Sequence, residues 1–462
     1  MTLASRYDVD DRFILELAQV VGTENVHCEG AFYDECSHDA TEIIRPPVAA
    51  IAVNEAAQIP AVLRIATRYG IPVIARGAGT GYTGGAVAEY GGIVVSLANL
   101  NRILDLDTGR KLAIVEPGVI TQTLADAAAG KGLFYPPDPA SVKECSLGGN
   151  IAECAGGLRC KKYGLTKDYV LGLEGYSADG ELVQTGCFLP QQTYDLGSLL
   201  LGSEGTLAFI TRIALQLIEP PQTRRTFFAA YESPTAAAEV VAAIMAAGVV
   251  PAVLEFMDGD AIKCTHEYLQ WPATSPVAAA LLVEVDGNAT EVERDAAVVI
   301  EIMRRLRPTQ FEETADPARR DHLWTLRRSI SKAITAAATL RVSEDIVVPP
   351  SRLPTVVTAL PDFARRHSLR VNSFGHAGDG NLHVNFLAGD DLPATRARIH
   401  EAVVELFKLT IALDGTISGE HGIGTTKKDY LPLEVADPTL ELFRRVKRAF
   451  DPTGLLNPGK IF

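Results

Sequence analysis

The sequence predicts an α+β fold that is divided among more than one domain. Its 462 residues exceed what one ordinary hydrophobic core holds, and the 47% hydrophobic content is typical of folded chains. Short apolar runs alternate with helical segments from Pro46 to Lys131, and a second series of strands and helices follows a Pro-Pro pair. We therefore expect a first domain over residues 1–220, a second over 221–410, and a C-terminal segment over 411–462.

The first domain is predicted to begin with a helix over residues 10–28 and to continue as alternating strands and helices. Each predicted strand is a short apolar run bounded by turn residues, which is the pattern of a buried strand. In chain order we expect a strand at 48–53, a helix at 54–69, strands at 72–75, 92–97 and 112–119, and a helix at 121–131.

Glu219-Pro220-Pro221 marks the expected boundary of the first domain, because consecutive prolines interrupt both helices and sheets. The segment beyond it again mixes apolar runs with helical segments and predicts a second α+β domain. Its expected elements are a strand at 227–231, a helix at 234–247, strands at 253–256 and 280–285, and a helix at 393–413.

Composition restricts the class of partner and the compartment. Lys and Arg total 43 against 57 Asp and Glu, and the net charge of -14 argues against nucleic acid or an anionic membrane as the main partner. No apolar stretch reaches the ~18 residues of a membrane span, and the N-terminus has no signal-peptide pattern. We expect a cytoplasmic protein that reaches a membrane only peripherally, through a partner.

The cysteines give no sign of a disulfide scaffold or of an iron-sulfur cluster in this chain. They are seven in number, which is odd, and they show no CxxC spacing. The group His27, Cys28, Cys36 and His38 fits no common zinc template. Any electrons that leave the protein would need another carrier.

Two short segments near the C-terminus suggest a metal site. Asp379-Gly380 is typical of a two-residue hairpin turn, which would make His376 and His383 direct cross-strand partners with Cβ atoms ~4.5–5.5 Å apart. Glu420 is the expected third ligand, and two histidines with one carboxylate leave coordination positions open, as in catalytic sites. His421 then remains free for proton transfer. The alternative is that the histidines merely pair across a hairpin and that Glu420 and His421 only decorate a loop.

Four loops rich in glycine or proline lie in the first domain. Residues 77–85 follow a predicted strand and include five glycines, which permit positive φ and present successive backbone N–H groups to a pyrophosphate. Similar loops occupy residues 135–141, 146–157 and 201–207. Any one of them is explained by an ordinary tight turn, but four within one domain are enough to enclose a long dinucleotide.

Five motifs, taken in order, carry a resemblance to a known family: Arg76–Thr80, Pro136–Pro139, Gly148–Ala152, Gly202–Gly205 and Asn457–Lys460. They resemble the FAD-linked oxidases of the vanillyl-alcohol oxidase fold. The hairpin histidines and Gly419–Gly422 are similar to one branch, which contains the glycolate oxidase large subunit, D-lactate dehydrogenase and D-2-hydroxyglutarate dehydrogenase. The match extends from about residue 40 to 462. It implies a FAD-binding domain of two α/β subdomains, an antiparallel-sheet substrate domain, and a C-terminal helical segment that returns to the flavin.

The resemblance also implies the cofactors and the residues that bind them. FAD is expected to be non-covalent, because Thr80 stands where relatives with covalent flavin have a histidine. A divalent zinc, manganese or iron ion is expected on His376, His383 and Glu420. The residues expected to contact FAD are Arg76, Gly77, Ala78, Gly79, Thr80, Gly81, Pro137, Asp138, Ser141, Gly148, Gly149, Asn150, Ala152, Gly205, Ile210 and Asn457.

The implied reaction is oxidation of a D-2-hydroxy acid by hydride transfer to flavin N5, with His421 as the base. Arg327 is expected to bind the substrate carboxylate, since a guanidinium pairs with a carboxylate in bidentate fashion. The alternative places Arg327 on a solvated helix face with other arginines. Dicarboxylate-specific relatives carry a lysine where this chain has Val342–Asp345, a difference that favours D-lactate or glycolate over 2-hydroxyglutarate.

Two other functions remain open at this point: a non-catalytic flavoprotein subunit that relays electrons, and a metal hydrolase whose glycine loops are simple turns. The partners expected for the dehydrogenase are an iron-sulfur subunit or an electron-transfer flavoprotein as electron acceptor, and a second copy of the chain in a homodimer.

Overall fold

The computed structural model describes residues 11–41, 43–190, 194–272 and 277–462. Residue 10, where the first helix is predicted to start, lies outside the described residues. The same holds for residues 1–9, whose sequence predicts the absence of a signal peptide. The described chain divides into two compact units. The first unit consists of the described parts of Met1–Gly156, Leu165–Pro220 and Glu420–Phe462, and the second of those of Gly157–Gly164 and Pro221–Gly419. The three-part division at residues 220 and 410 stays a prediction.

Helices and strands are numbered in chain order. The α-helices of the described residues are α1 (Asp11–Val21), α2 (Ala31–Cys36), α3 (Ile59–Tyr69), α4 (Thr121–Ala129), α5 (Leu147–Glu153), α6 (Cys160–Tyr163), α7 (Gly197–Leu200), α8 (Pro234–Ala246), α9 (Gly259–Tyr268), α10 (Ala289–Arg305), α11 (Pro317–Ala336), α12 (Leu353–His367), α13 (Pro393–Ala412) and α14 (Asp437–Phe450). The β-strands are β1 (Val26–His27), β2 (Ala49–Ala52), β3 (Val73–Arg76), β4 (Ile93–Ser96), β5 (Ile103–Asp107), β6 (Leu112–Val115), β7 (Val170–Tyr176), β8 (Leu182–Gln184), β9 (Phe209–Gln216), β10 (Thr223–Tyr231), β11 (Val253–Asp258), β12 (Ala279–Gly287), β13 (Gln310–Thr314), β14 (Leu340–Val347), β15 (Arg370–His376) and β16 (Asn381–Ala388).

The predicted first helix is shorter than expected. It ends at Val21, because Gly22 takes a φ of 94° and the chain continues as a short 3₁₀ turn into β1. The next predicted helix likewise begins as a 3₁₀ turn at Ala56 and becomes α-helical only at Ile59. Both differences arise at element ends, where glycine and capping residues outweigh apolar periodicity.

The first unit contains two sheets within the described residues. One has the order β1-β2-β4-β3, with β2, β4 and β3 parallel, and the other has the order β5-β6-β9-β7-β8 and is antiparallel. Helices α1 and α3 cover the first sheet through Phe13, Leu17 and Val62. The C-terminal segment returns to this sheet, since the amide of Asn457 donates to the carbonyl of Val73 at 2.9 Å.

The second unit is built on an antiparallel sheet with the order β13-β10-β12-β11-β15-β16-β14 among the described strands. Every residue of β12 from Ala279 to Asp286 is buried, so both faces of the sheet are covered at this central strand. Helices α9 and α11 pack on one face through an apolar cluster that includes Met257, Leu323 and Phe374.

The β15–β16 connection differs from the predicted two-residue turn. Strand β15 ends at His376 and β16 begins at Asn381, and the register sets Phe374 opposite His383, so direct pairing of His376 with His383 is wrong. The turn is longer because the amide of Gly380 (φ 80°) donates to the carbonyl of Ala377 at 3.1 Å. The two histidines are diagonal neighbours on the same face, with ring centroids 5.6 Å apart.

None of the described helices combines the length and the apolar character that crossing a bilayer requires.

Candidate functional site

The glycine loop of the first unit begins directly where β3 ends. Arg76, the last residue of β3, is buried, and its Nη1 donates to the carbonyl of His38 at 2.6 Å. Gly79 takes a φ of 69°, and a Cβ there would lie 2.2 Å from the Arg76 guanidinium. A Cβ at Gly77 would lie 2.3 Å from Oγ of Ser146. Arg76 therefore supports the loop from within the protein, and its predicted contact with FAD stays a prediction.

A second loop approaches the first at the start of α5. Ser146 caps this helix and accepts from the amide of Gly149 at 3.3 Å. A Cβ at Gly148 would lie 2.6 Å from the Pro117 ring, so a side chain does not fit there. Asn150 is buried, and its Nδ2 donates to Oγ1 of Thr121 at 2.8 Å. These glycines permit close backbone approach, while Asn150 fixes the helix behind them.

Asn457 joins two loops and leaves one buried acceptor. Its Nδ2 donates to the carbonyls of Gly85 at 2.8 Å and of Glu204 at 2.7 Å. Within the described residues its Oδ1 is buried and has no hydrogen-bond partner. Buried polar atoms are nearly always bonded, so an orphaned acceptor marks a position for a ligand donor. The ring N–H of a flavin is such a donor, and this residue fits the predicted cofactor.

The other residues predicted to contact FAD also lie in the first unit. Pro137 and Asp138 are buried, whereas Ala78, Thr80, Gly81, Ser141, Ala152, Gly205 and Ile210 are half-buried. Their contacts with FAD stay predictions.

Replacing Asn457 with leucine is expected to weaken FAD binding at least tenfold. The change leaves the partly buried carbonyl of Gly85 and the buried carbonyl of Glu204 without this donor, at a cost of about 1–3 kcal/mol for a buried group, and it removes the free acceptor. The measurement is the dissociation constant for FAD added to the stripped protein. Asn99→Leu serves as the control, because Asn99 is an exposed asparagine of the same unit whose Nδ2 donates to Oδ1 of Asn54 at 2.8 Å. An unchanged dissociation constant in Asn457→Leu would contradict this role.

The loop that carries Glu420 and His421 is fixed by Glu204, a residue of the Gly202–Gly205 motif to which the sequence analysis assigns no role of its own. Glu204 is buried, and its carboxylate accepts from the amides of Ile423 and Gly424, both at 2.7 Å. Burial raises the pKa of Glu204 to about 7, although the two amides and the nearby Lys460 and Lys427 oppose the rise. The carboxylate thus holds the backbone of the loop from within the first unit.

His421 lies against the glycine loop of the same unit. Its ring centroid is 5.0 Å from that of Tyr82, at an interplanar angle of 32°. Its carbonyl accepts from Oγ1 of Thr83 at 3.2 Å, and the carbonyl of Thr83 accepts from the amide of Thr425 at 2.7 Å. The structure therefore brings the predicted base beside the loop predicted to hold the cofactor. Tyr82 is a contact that the sequence reasoning missed.

In the second unit, His376 is held by a buried carboxylate. Glu255 lies opposite it across β11 and β15, and Nδ1 of His376 is 2.7 Å from Oε1 of Glu255. The side chain of Glu255 is 0% exposed. Burial raises the pKa of Glu255, but Arg327 and His376 outweigh it and hold the pKa below its usual value. The missed signal was a carboxylate in the middle of an apolar central strand, which requires a partner.

Arg327 is bound by the same carboxylate. Its Nε donates to Oε2 of Glu255 at 2.5 Å, and its guanidinium lies 5.0 Å from the ring centroid of Phe374. The side chain is only 3% exposed, so the alternative of a solvated helix face is wrong. Nη2 of Arg327 is buried and has no hydrogen-bond partner among the described residues. An unpaired buried donor of this kind fits an acidic ligand.

Glu420 follows the last residue of the second unit. The amide of that residue, Gly419, donates to Oδ2 of the buried Asp345 at 2.9 Å, and the peptide bond to Glu420 extends from this anchor. Ligand atoms of His376, His383 and Glu420 all lie within 4.8 Å of one another. Two imidazoles and a carboxylate form a donor set that suits zinc, manganese or ferrous iron. Among the described residues, the group at 27–38 forms no such cluster.

Comparison with protein families gives two matches. A model described as FAD linked oxidases, C-terminal domain, matches residues 220–461, and one described as FAD binding domain matches residues 47–186. Together they cover most of both units.

Relatives and solved structures agree with these matches. The chain is 38% identical to the glycolate oxidase subunit GlcD of Bacillus subtilis (strain 168), over 97% of this chain and 96% of that protein. It is 33% identical to the D-lactate dehydrogenase of Anaerostipes hadrus, over 93% and 92%. The structure of p-cresol methylhydroxylase with substrate bound superposes with a TM-score of 0.81 at 16% identity, over 98% and 96%.

The α+β fold class and the family resemblance are both confirmed by these matches, and a metal hydrolase with purely structural glycine loops is excluded. The chain therefore belongs to the family of FAD-linked oxidases and is an FAD-linked oxidoreductase with the vanillyl-alcohol oxidase fold.

Proposed function

We propose that this oxidoreductase is a metal-dependent dehydrogenase that oxidises a D-2-hydroxy acid, D-lactate or glycolate, to the 2-oxo acid and passes the electrons to an acceptor other than oxygen. The observation that carries the proposal is the buried group of Arg327, Glu255 and His376 in the second unit. In this group, one carboxylate, that of Glu255, holds both a guanidinium that can bind a carboxylate and an imidazole that can bind a metal ion.

The substrate carboxylate is bound by Arg327 in this proposal. Its Nε is already used by Glu255, so the Nη edge of the guanidinium remains for the ligand. Nη2, which has no partner among the described residues, supplies the hydrogen bond. A buried guanidinium with a planar fork favours a carboxylate over a neutral group and holds it in one orientation.

The hydroxyl proton is taken by His421. An imidazole has a pKa near neutrality, which suits a general base at physiological pH. The ring is kept in place by Tyr82 and by the loop contacts of Glu204 and Thr83. When bound, a divalent ion on His376, His383 and Glu420 would supply Lewis-acid polarisation of the substrate hydroxyl.

The cofactor is proposed to be non-covalent FAD, since Thr80 stands in the glycine loop where covalent relatives have a histidine. When bound, FAD would supply the hydride acceptor. Asn457 and the glycines of the first unit would hold it. The iron-sulfur or electron-transfer flavoprotein partner, the homodimer and the cytoplasmic location are part of the same proposal.

The substrate is proposed to be small and to carry one carboxylate. The segment Val342–Asp345 of strand β14 supplies no cation at the position where dicarboxylate-specific relatives have a lysine. Arg341, which precedes it, donates to Asn385 at 2.9 Å and to the carbonyl of Ser331 at 2.9 Å. The names of the two curated relatives, glycolate oxidase subunit and D-lactate dehydrogenase, agree with a small acid for those proteins.

Bleaching of the flavin band tests the proposal. The holoprotein is mixed without oxygen with D-lactate, glycolate, L-lactate or D-2-hydroxyglutarate, and absorbance at about 450 nm is followed. We expect D-lactate or glycolate to bleach the band and L-lactate to leave it unchanged. A faster reaction with D-2-hydroxyglutarate would overturn the substrate assignment. A flavin that none of the acids reduces would favour an electron-relay subunit instead.

A further inference from the structure

Glu255 is a fully buried carboxylate near the proposed site, and it contacts two of the residues named above. It lies in the middle of β11 and is 0% exposed. One of its oxygens, Oε2, accepts from Nε of Arg327 at 2.5 Å, and the other, Oε1, lies 2.7 Å from Nδ1 of His376. These three residues come from separate elements, β11, α11 and β15, and they meet only through the fold.

The contact with His376 determines which ring nitrogen carries the hydrogen. A carboxylate paired with a guanidinium has only acceptor sites, so the nitrogen that faces it must be the donor, Nδ1–H. The lone pair of a neutral imidazole then lies on Nε2, the only ring nitrogen left for a metal ion. Histidine ligands commonly show this arrangement, in which a carboxylate fixes the ring and its tautomer.

The contact with Arg327 determines which edge of the guanidinium is available. Nε is occupied by Glu255, and the guanidinium is placed over the ring of Phe374 at 5.0 Å. Rotation of the guanidinium away from this position would leave the buried Arg327 without its counter-charge and Glu255 with only the His376 ring, which is strongly unfavourable. The Nη edge is thereby fixed toward a ligand.

We propose that Glu255 is a positioning residue that prepares both halves of the substrate site at once: it fixes the His376 tautomer for the metal ion and the Arg327 fork for the substrate carboxylate. This inference rests on the function proposed above. The inference goes beyond that function because it assigns a role to Glu255, a residue that would contact neither the substrate nor the metal. That role is to couple the metal-binding imidazole to the carboxylate-binding guanidinium.

Zinc affinity of the FAD-loaded full chain tests this role without any measurement of turnover. Glu255→Gln keeps the size of the side chain but presents an N–H₂ group to one of its two partners. If that partner is His376, the ring must turn Nδ1 into the acceptor and place its hydrogen on Nε2. The Zn²⁺ dissociation constant, measured by titration after chelator treatment, is expected to rise about 10- to 100-fold.

Glu255→Asp distinguishes the effect of the carboxylate group from the effect of side-chain volume. It shortens the side chain but keeps two acceptor oxygens, so we expect it to retain tighter Zn²⁺ binding than Glu255→Gln. A role in packing alone predicts the reverse order, because glutamine is the closer match in volume. That reverse order would overturn the proposal.

Glu284 supplies the matched control for the loss of a buried charge. It is a buried glutamate on the neighbouring strand β12, it accepts from Thr226 at 2.9 Å, and it pairs with Arg224 at 3.5 Å. Glu284→Gln is expected to bind Zn²⁺ as the unchanged protein does. An equal loss of affinity in Glu284→Gln and Glu255→Gln would show a general effect of destabilisation and overturn the proposal.

Failure of the inference can be told apart from failure of the proposed function. If the unchanged protein binds Zn²⁺ and Glu255→Gln binds it equally well, the role of Glu255 is wrong while the metal-dependent function stands. If the unchanged protein itself binds no Zn²⁺, Mn²⁺ or Fe²⁺, the metal-dependent function fails, and the positioning role fails with it.

Discussion

Replacement of His421 with alanine is expected to lower turnover about 10²- to 10⁴-fold, the contribution that a positioned general base makes. The side chain is removed, but the backbone of its loop stays anchored by Glu204 and Thr83. FAD and metal content should therefore match those of the unchanged protein. The measurement is the rate of anaerobic flavin reduction by whichever of the four hydroxy acids bleaches the flavin band of the unchanged protein.

Two further observations sharpen the test of His421. Added imidazole should restore part of the activity of His421→Ala, because it can replace the missing base. Tyr82→Phe, which preserves the ring against His421 and removes only the hydroxyl, is the matched control and should stay within a few-fold of the unchanged rate. Unchanged turnover in His421→Ala, with flavin and metal in place, would assign the proton transfer to another group.

Loss of the metal ion is expected to cost about 10³-fold in turnover or more while the flavin spectrum persists. Lewis-acid activation contributes several kcal/mol, and each 1.36 kcal/mol is about tenfold in rate. Chelator treatment and His383→Ala should have the same effect, because the variant removes one of two imidazole ligands. Turnover and metal content are measured on the same samples.

His367→Ala is the matched control for the metal site. His367 lies in the same unit on α12, and its Nε2 is 2.9 Å from Glu405, so its loss should leave the metal bound. Restoration of activity by zinc, manganese or ferrous iron after chelation would identify the working ion. Release of FAD together with the metal would instead point to a structural ion, and undiminished turnover without metal would exclude the Lewis-acid role.

Local sequence patterns were sufficient to predict those elements whose structure depends on neighbouring residues. The strands β2, β3 and β4 lie within one residue of their predicted limits, because short apolar runs between glycine and proline leave few alternatives. The glycine loops could also be predicted from the sequence, because they too depend on residue type within a short segment. A Cβ at Gly148 or Gly77 would collide with Pro117 or Ser146, and only glycine satisfies such positions.

The hairpin shows where a local signal misled the prediction. Asp379-Gly380 is typical of a two-residue turn, but in the structure Gly380 belongs to a longer turn. A Cβ added at Gly380 would lie 1.8 Å from the carbonyl oxygen of Val348. The glycine is required by this approach to a distant segment rather than by the turn alone. In the observed register of β15 and β16, Phe374 and not His376 lies opposite His383. This register differs by two residues from the predicted pairing of His376 with His383.

Arg327 had a signal that a fuller use of helical spacing could have found. It lies four residues after Leu323 and three before Ile330, both buried, so it falls on the apolar stripe of α11. An arginine on such a stripe is buried and must be paired. Its partner could not be named from the sequence, since Glu255 is 72 residues away.

The sequence by itself determined the family, and with it the antiparallel sheet of the second domain, because the motifs that carry the resemblance are short segments of defined residue type. The loops predicted to bind FAD and the candidate metal ligands were named from the same segments. Only the tertiary structure decided how these residues are supported. Glu204 anchors a loop 219 residues distant, and Glu255 joins residues 72 and 121 positions away. A buried carboxylate is stable only with partners, and which partners reach it is set by strand register and helix packing, not by neighbouring residues.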